Sequence, residues 1–155
     1  MNIQERIEAL ETEFAEKIKA LKAEAQQVDE FPQVGDEYWR IDDKGSVDNS
    51  LYNDYYGDHH RQAIGNFFKT EKEAEFAVKK LKVEAELRKF SKPFEPMTDN
   101  FFMIYDRYLG SLENNCSLKT DIQGVIYFGS REEIRKAAET VGIERIKKYI
   151  FGVED

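Results

Sequence analysis

Two helix starts, sixty residues apart and built alike, most restrict how this chain can fold. Thr70 stands three residues before Glu73, and Ser130 three residues before Glu133. Each pair forms a capping box, in which hydroxyl and carboxylate satisfy amide donors that a helix N-terminus leaves unpaired. Each box follows an aromatic-ended extended segment, Phe68-Lys69 in one case and Phe128-Gly129 in the other. The spacing predicts one helix from Glu71 to about Phe90, closed by Pro93 and Pro96. It predicts a second from Ser130 to about Thr140. Gly142 separates that helix from a last one over Ile143–Phe151.

Upstream of each box the pattern is strand, turn, strand. Tyr38-Trp39-Arg40-Ile41 reads as a strand, Asp42-Asp43-Lys44-Gly45 as a turn and Ser46-Val47 as a returning strand. Phe101 to Asp106 reads as a strand, followed by Leu109-Gly110-Ser111-Leu112 as turn and return. Gly124 to Phe128 reads as a further strand, whereas Asp48 to His60 is polar and reads as a loop. Two matching units follow, over 37–92 and 99–151. The expected class is α+β, a body over 34–155 in which both units join one antiparallel sheet with helices on one face.

Ahead of the body lies a helical arm over 1–28, predicted as helix from Ile3 to Gln27. Ile7, Leu10, Phe14, Ile18, Leu21 and Ala25 recur every three or four residues, which sets them on one face. The repeat approaches eleven residues, so a straight helix fits better than a left-handed coiled coil. An apolar stripe of this length needs cover. Two destinations stay open: the chain's own body, or a second copy, making a homodimer through Ile7, Leu10, Phe14, Ile18 and Leu21. Pro32 and Gly35 punctuate the join between arm and body.

At 155 residues with 41% hydrophobic content, the chain suffices for one domain with a core. A formal net charge of -8 opposes direct nucleic-acid binding, which requires a basic face. It also opposes docking on an anionic membrane. Cys116 is the single cysteine, so a reducing, cytoplasmic setting is expected. The charged N-terminus lacks the apolar core of a secretion signal, and no apolar run spans a bilayer.

Catalytic patterns are missing: there is no GxSxG, HExxH, Walker or GxGxxG sequence. His59 and His60 are the only histidines, and neighbours on extended chain point apart, which leaves no zinc set. Cys116 lies in a polar stretch, Glu113 to Ser117, that reads as a turn without a nearby base. The expectation is a non-catalytic binding protein without cofactor or metal.

One tract stands out for binding. From Asp29 to Asp58 the acids are Asp29, Glu30, Asp36, Glu37, Asp42, Asp43, Asp48, Asp54 and Asp58, against Arg40 and Lys44. Tyr38, Trp39, Tyr52, Tyr55 and Tyr56 are interleaved with them. Carboxylates supply phosphate-like charge and rings supply anchors, which suits a basic, nucleic-acid-binding protein partner. The alternative is that one ring enters the core while the acids keep a sheet edge soluble. The next helix has the opposite bias, with Lys69, Lys72, Lys79, Lys80, Lys82, Arg88, Lys89 and Lys92.

Three stretches are also familiar in combination. They are Phe31-Pro32-Gln33-Val34-Gly35-Asp36-Glu37-Tyr38-Trp39, then Arg61 through Glu75 with Gly65-Asn66-Phe67-Phe68-Lys69-Thr70-Glu71 at its centre, and Tyr127-Phe128 with Ile143 through Tyr149. Together they resemble a group of small acidic accessory proteins encoded by phages and prophages, whose members begin with a charged helix of variable length. The group has no assigned activity, so the resemblance carries over no catalytic residue. It implies a context, that of accessory phage proteins, where inhibitors of bacterial immune systems are found. The first expectation is therefore an inhibitor that binds a host defence protein, such as a CRISPR nuclease, in the host bacterial cell. The alternatives are a sponge for a nucleotide immune signal, drawing on Arg40, Arg61 or the lysine-rich helix, and a phage structural or assembly protein.

Overall fold

The computed structural model describes residues 2–26 and 31–154. Gln27, Asp29 and Glu30, which the sequence reading assigned to the arm and the acidic tract, lie outside the described residues. So does the side chain of Ala25.

The elements run α1 (Ile3–Gln26), β1 (Glu37–Ile41), β2 (Val47–Leu51), α2 (Tyr56–Ala63), α3 (Glu71–Arg88), β3 (Asn100–Asp106), β4 (Ser111–Ser117), β5 (Tyr127–Phe128), α4 (Arg131–Val141) and α5 (Ile143–Phe151). The class is α+β, with the long helix first, as the sequence indicates. The expectation of one sheet gives way to two: β1 pairs antiparallel with β2, and β3 lies between β4 and β5.

The reason lies in α3. Its buried residues fall into two sets, Ala74 with Val78 and Val83 with Leu87. At about 100° per residue, the second set lies roughly half a turn around the helix from the first. Each helix half thus buries a different side. Val83 and Leu87 join Phe128, Ile134, Ala137, Ala138, Val141 and Ile146 in one core, against which Phe101, Met103 and Leu112 of the three-stranded sheet pack. Ala74 and Val78 lie outside that core, and α3 is also in contact with β1 and β2. A helix with two apolar sides can pack against the β1–β2 hairpin and also enter a core shared with α4, α5 and the three-stranded sheet, where a helix with one stripe would cover a single surface. The Arg145 guanidinium clamps α5 to α3 through paired 2.9 Å bonds to Glu86, and donates to the Val141 carbonyl. These bonds hold the Glu86 carboxyl below its ordinary pKa.

The predicted capping box at Thr70 forms in full, and at Ser130 its hydroxyl half forms. The Thr70 hydroxyl accepts from the Glu73 amide and the Ser130 hydroxyl from the Glu133 amide. Glu73 in turn accepts from the Lys69 amide, as Glu133 does from that of Gly129. The hairpin turns match as well. The Asp42 carboxylate accepts the Lys44 and Ser46 amides, and the Asp106 carboxylate those of Tyr108 and Leu109. Gly45 and Gly110 follow at φ +75 and +68, a region costly for other residues. β1 also meets Phe68 through an antiparallel bridge at Trp39, as β3 meets β5 through Phe101 and Phe102.

Three expectations are corrected. Asp48 to His60 is no loop, since Val47–Leu51 is a strand and Tyr56–Ala63 a helix. The strand is polar because β2 is an edge, where alternation with a buried face is not required. Glu113 to Ser117, read as a turn, belongs to β4, so Cys116 sits on a strand opposite Phe101. The strand expected from Gly124 shrinks to Tyr127–Phe128.

Coupling through α3 makes the body one cooperative unit. Leu87→Ala should cost about 2–5 kcal/mol. Trp39 fluorescence, which reports from the opposite sheet, should then shift in urea together with far-ultraviolet circular dichroism. Separate transitions for the two signals would show that α3 does not couple the sheets.

Candidate partner-binding surface

The acidic tract does not form one surface, because β1 and β2 draw it out along a hairpin. Glu37 pairs with Leu51 at the open end and Ile41 with Val47 at the turn end. These ends lie about 13 Å apart at the usual rise per strand residue. Asp42, Asp43 and Asp48 gather at the turn, and Asp36, Glu37, Asp54, Tyr55 and Tyr56 at the open end.

Most of the carboxylates have work inside the protein. Asp42 caps its own turn, and the Ser46 amide bond above all lowers its pKa. Asp48 bonds Arg40 across the strands at 2.8 Å, Asp36 accepts the Gln33 amide at 2.7 Å, and Glu37 accepts from the side chain of Asn49. Asp43 is exposed on the turn.

Three residues of the tract, Tyr38, Tyr52 and Asp58, are withdrawn from the surface. Tyr52 belongs to the core, its ring edge-on to Phe67 at 6.0 Å. Asp58 is 4% exposed and organises the open end from beneath. One carboxylate oxygen accepts the Tyr38 hydroxyl at 2.7 Å and Arg61 Nη1 at 3.3 Å. The other accepts the amides of Asn53 at 3.0 Å and Tyr55 at 3.3 Å. The Asn53 amide is the largest of the influences that hold this carboxyl below the usual range, ahead of burial, which opposes it. Arg61 Nη1 also donates to the Tyr38 hydroxyl at 2.8 Å, and the fully buried Tyr38 ring stacks on Phe67 at 3.9 Å. Charge, hydroxyl and ring thus fix the segment between β2 and α2 to the sheet, with every polar partner satisfied.

Above this anchor the chain turns outward. Asp54 adopts φ +58, which Asp tolerates better than most residues. Its carboxylate accepts the Tyr52 hydroxyl at 2.9 Å and lies 2.9 Å from His59 Nε2. Donation to Asp54, with burial, raises the Tyr52 pKa. Tyr55 and Tyr56 then project at 71% and 80% exposure, and the Tyr56 ring lies 3.9 Å from that of His60. Trp39, half-buried in the centre of the sheet, is not part of this projection. His59 lies in α2 and Cys116 on β4 of the three-stranded sheet, and the Cys116 thiol faces Asp99 at 3.7 Å.

A second concave feature escaped the sequence reading. Phe31, Phe67, Phe68 and Phe76 line an open groove of about 790 Å³, with Lys69, Lys72 and Lys80 beside them. Lys69 Nζ lies 5.2 Å from the centre of the Phe31 ring. The lysines were visible in the sequence, but the aromatic side is assembled from segments more than thirty residues apart.

The chain matches no family model, no curated protein and no solved structure.

Asp58→Asn removes the buried charge that Arg61, Tyr38 and two amides address, and should cost about 1–3 kcal/mol. Because the folded pKa is depressed, the wild-type carboxylate stabilises fully above about pH 4 and loses that contribution as pH falls through the folded value. The gap in melting temperature between wild type and variant should therefore narrow as pH falls from about 7 to about 2.5. A constant gap across the range would remove Asp58 from this role.

Proposed function

We propose that the chain acts by binding, as a phage accessory protein that blocks a basic bacterial defence protein, a CRISPR nuclease or another defence effector. The observation that carries this reading is the pair of exposed tyrosines held out by the buried Asp58 anchor. A tyrosine offers a large amphipathic contact at low entropic cost, and it gains further when its backbone is already fixed. Glu37 and Asp54 flank the pair with negative charge, which draws a basic partner and disfavours nucleic acid itself.

The contact surface in this reading is narrower than the sequence tract. Tyr55, Tyr56, Glu37 and Asp54 form its centre. Asp43 and Asp48, at the far end of the hairpin, contribute field rather than contact. The resemblance to phage accessory proteins supplies the partner class.

The aromatic groove with its lysines favours a second reading, capture of a nucleotide immune signal. Rings would stack on a base, and ammonium groups would meet phosphate. In that case Lys72 and Lys80 would carry the contact. Arg40 and Arg61 would not, because Asp48 and Asp58 already engage them.

The test is phage plating on bacteria that carry single defence systems, with and without this protein. Expression should restore plating against at least one system. Tyr56→Ala should weaken binding to that system's effector by about 2 kcal/mol, roughly thirtyfold in Kd. Asp43→Lys should change Kd less than threefold while slowing association. Restoration that survives Tyr55→Ala/Tyr56→Ala and fails in Lys72→Ala/Lys80→Ala would transfer the function to the groove. Unchanged plating in every system would reject both readings.

A further inference from the structure

The apolar stripe of α1 is uncovered: Ile7, Leu10, Phe14, Ile18 and Leu21 are all exposed, Phe14 to 63%. Their spacing has a symmetry that the eleven-residue period alone does not demand. From Ile7 the steps are three, four, four and three, so the stripe reads the same from either end about Phe14. An antiparallel second copy, crossing at Phe14, would set Ile7 level with Leu21, Leu10 with Ile18 and Phe14 with itself. Every apolar residue would meet another.

The charges have a matching polarity. Before Phe14, α1 carries Glu5, Glu8, Glu11 and Glu13 against Arg6 alone, and after it Lys17, Lys19 and Lys22 against Glu16 and Glu24. Antiparallel copies lay the acidic half of each helix along the basic half of the other. Parallel copies lay acid along acid, which costs energy and selects against that arrangement.

We infer that α1 is a self-complementary, antiparallel dimerisation helix with its two-fold axis at Phe14, and that its occupant is a second copy of this chain. The helix is about 36 Å long at the standard rise. Each body follows the C-terminal end of its own α1, so antiparallel pairing places the two bodies at opposite ends of the helix pair. The assembly would therefore present two copies of whatever surface the body uses, spaced to engage two partners or two sites on one partner. This inference stands apart from the proposed function, since α1 pairing would persist if Tyr55 and Tyr56 bound nothing.

The full-length protein at micromolar concentration should sediment with the mass of two chains. Phe14→Asp, at an exposed position, should halve that mass and leave the melting temperature of the body unchanged. Lys17→Glu/Lys19→Glu/Lys22→Glu, which makes both halves acidic, should weaken dimerisation at least tenfold. Orientation is read from disulfides in a Cys116→Ser background. A mixture of Ile7→Cys and Leu21→Cys chains should cross-link 7 to 21, and neither variant alone should cross-link efficiently. A single-chain mass for the wild type, or efficient 7-to-7 and 21-to-21 cross-links, would overturn the inference.

Discussion

The architecture depends on one helix burying two opposite sides. α3 turns Ala74 and Val78 toward one sheet, and Val83 and Leu87 toward the other core. That geometry goes with two separate sheets, the β1–β2 hairpin against one part of α3 and the three-stranded sheet in the core that α3 shares with α4 and α5. It also explains why the chain can hold two small sheets at all. A two-stranded ribbon is marginal alone. Here β1 and β2 lean on a helix whose other side is fixed by α4, α5 and the Glu86–Arg145 clamp.

Within that frame the open end of the hairpin is stiffened by a buried charge. A lone buried carboxylate would be costly. Asp58 is tolerated because two amides, a phenol and a guanidinium converge on it, and their number makes the segment from Tyr52 to Arg61 a single rigid element. Rigidity matters for Tyr55 and Tyr56. Exposed rings on a loose loop would lose conformational freedom on binding, whereas these stand on backbone already immobilised from below.

Features set by local chemistry were legible in the sequence. Thr70 with Glu73 and Ser130 with Glu133 need only their neighbours, and Asp42 and Asp106 shape turns within four residues. α1, α3, α4 and α5 followed from spacing and caps. The failures share a cause, which is that the deciding partner lies elsewhere. Val47-Asp48-Asn49-Ser50-Leu51 has no strand alternation and becomes a strand through its pairing with β1. Tyr56 to Ala63 has no apolar stripe and is held by Asp58, one of whose partners, Tyr38, stands twenty residues earlier. Ala74, Val78, Val83 and Leu87 were all recognisably apolar. Their division between two sides was present in the numbering, but only a second sheet gives it meaning. For the candidate site, the tract was found but its extent was overstated, because composition does not reveal which carboxylates already accept bonds.

That distinction bears on how an acidic surface can work. Asp42, Asp36 and Asp48 are held by their own turns and strands, and exchanging those bonds for bonds to a partner gains little. Their charge is nevertheless felt beyond contact distance, across roughly one Debye length of about 8 Å at physiological ionic strength. Such groups steer encounters and govern how fast a basic partner arrives. The duration of the complex must come from groups that lose water on contact, and within the hairpin tract Tyr55 and Tyr56 are exposed rings with enough surface to do so. The division between field from the committed carboxylates and adhesion from the two rings follows from the same fact. The fold uses most of its hairpin acids to make the hairpin, and leaves the tyrosines free because the core has no place for them.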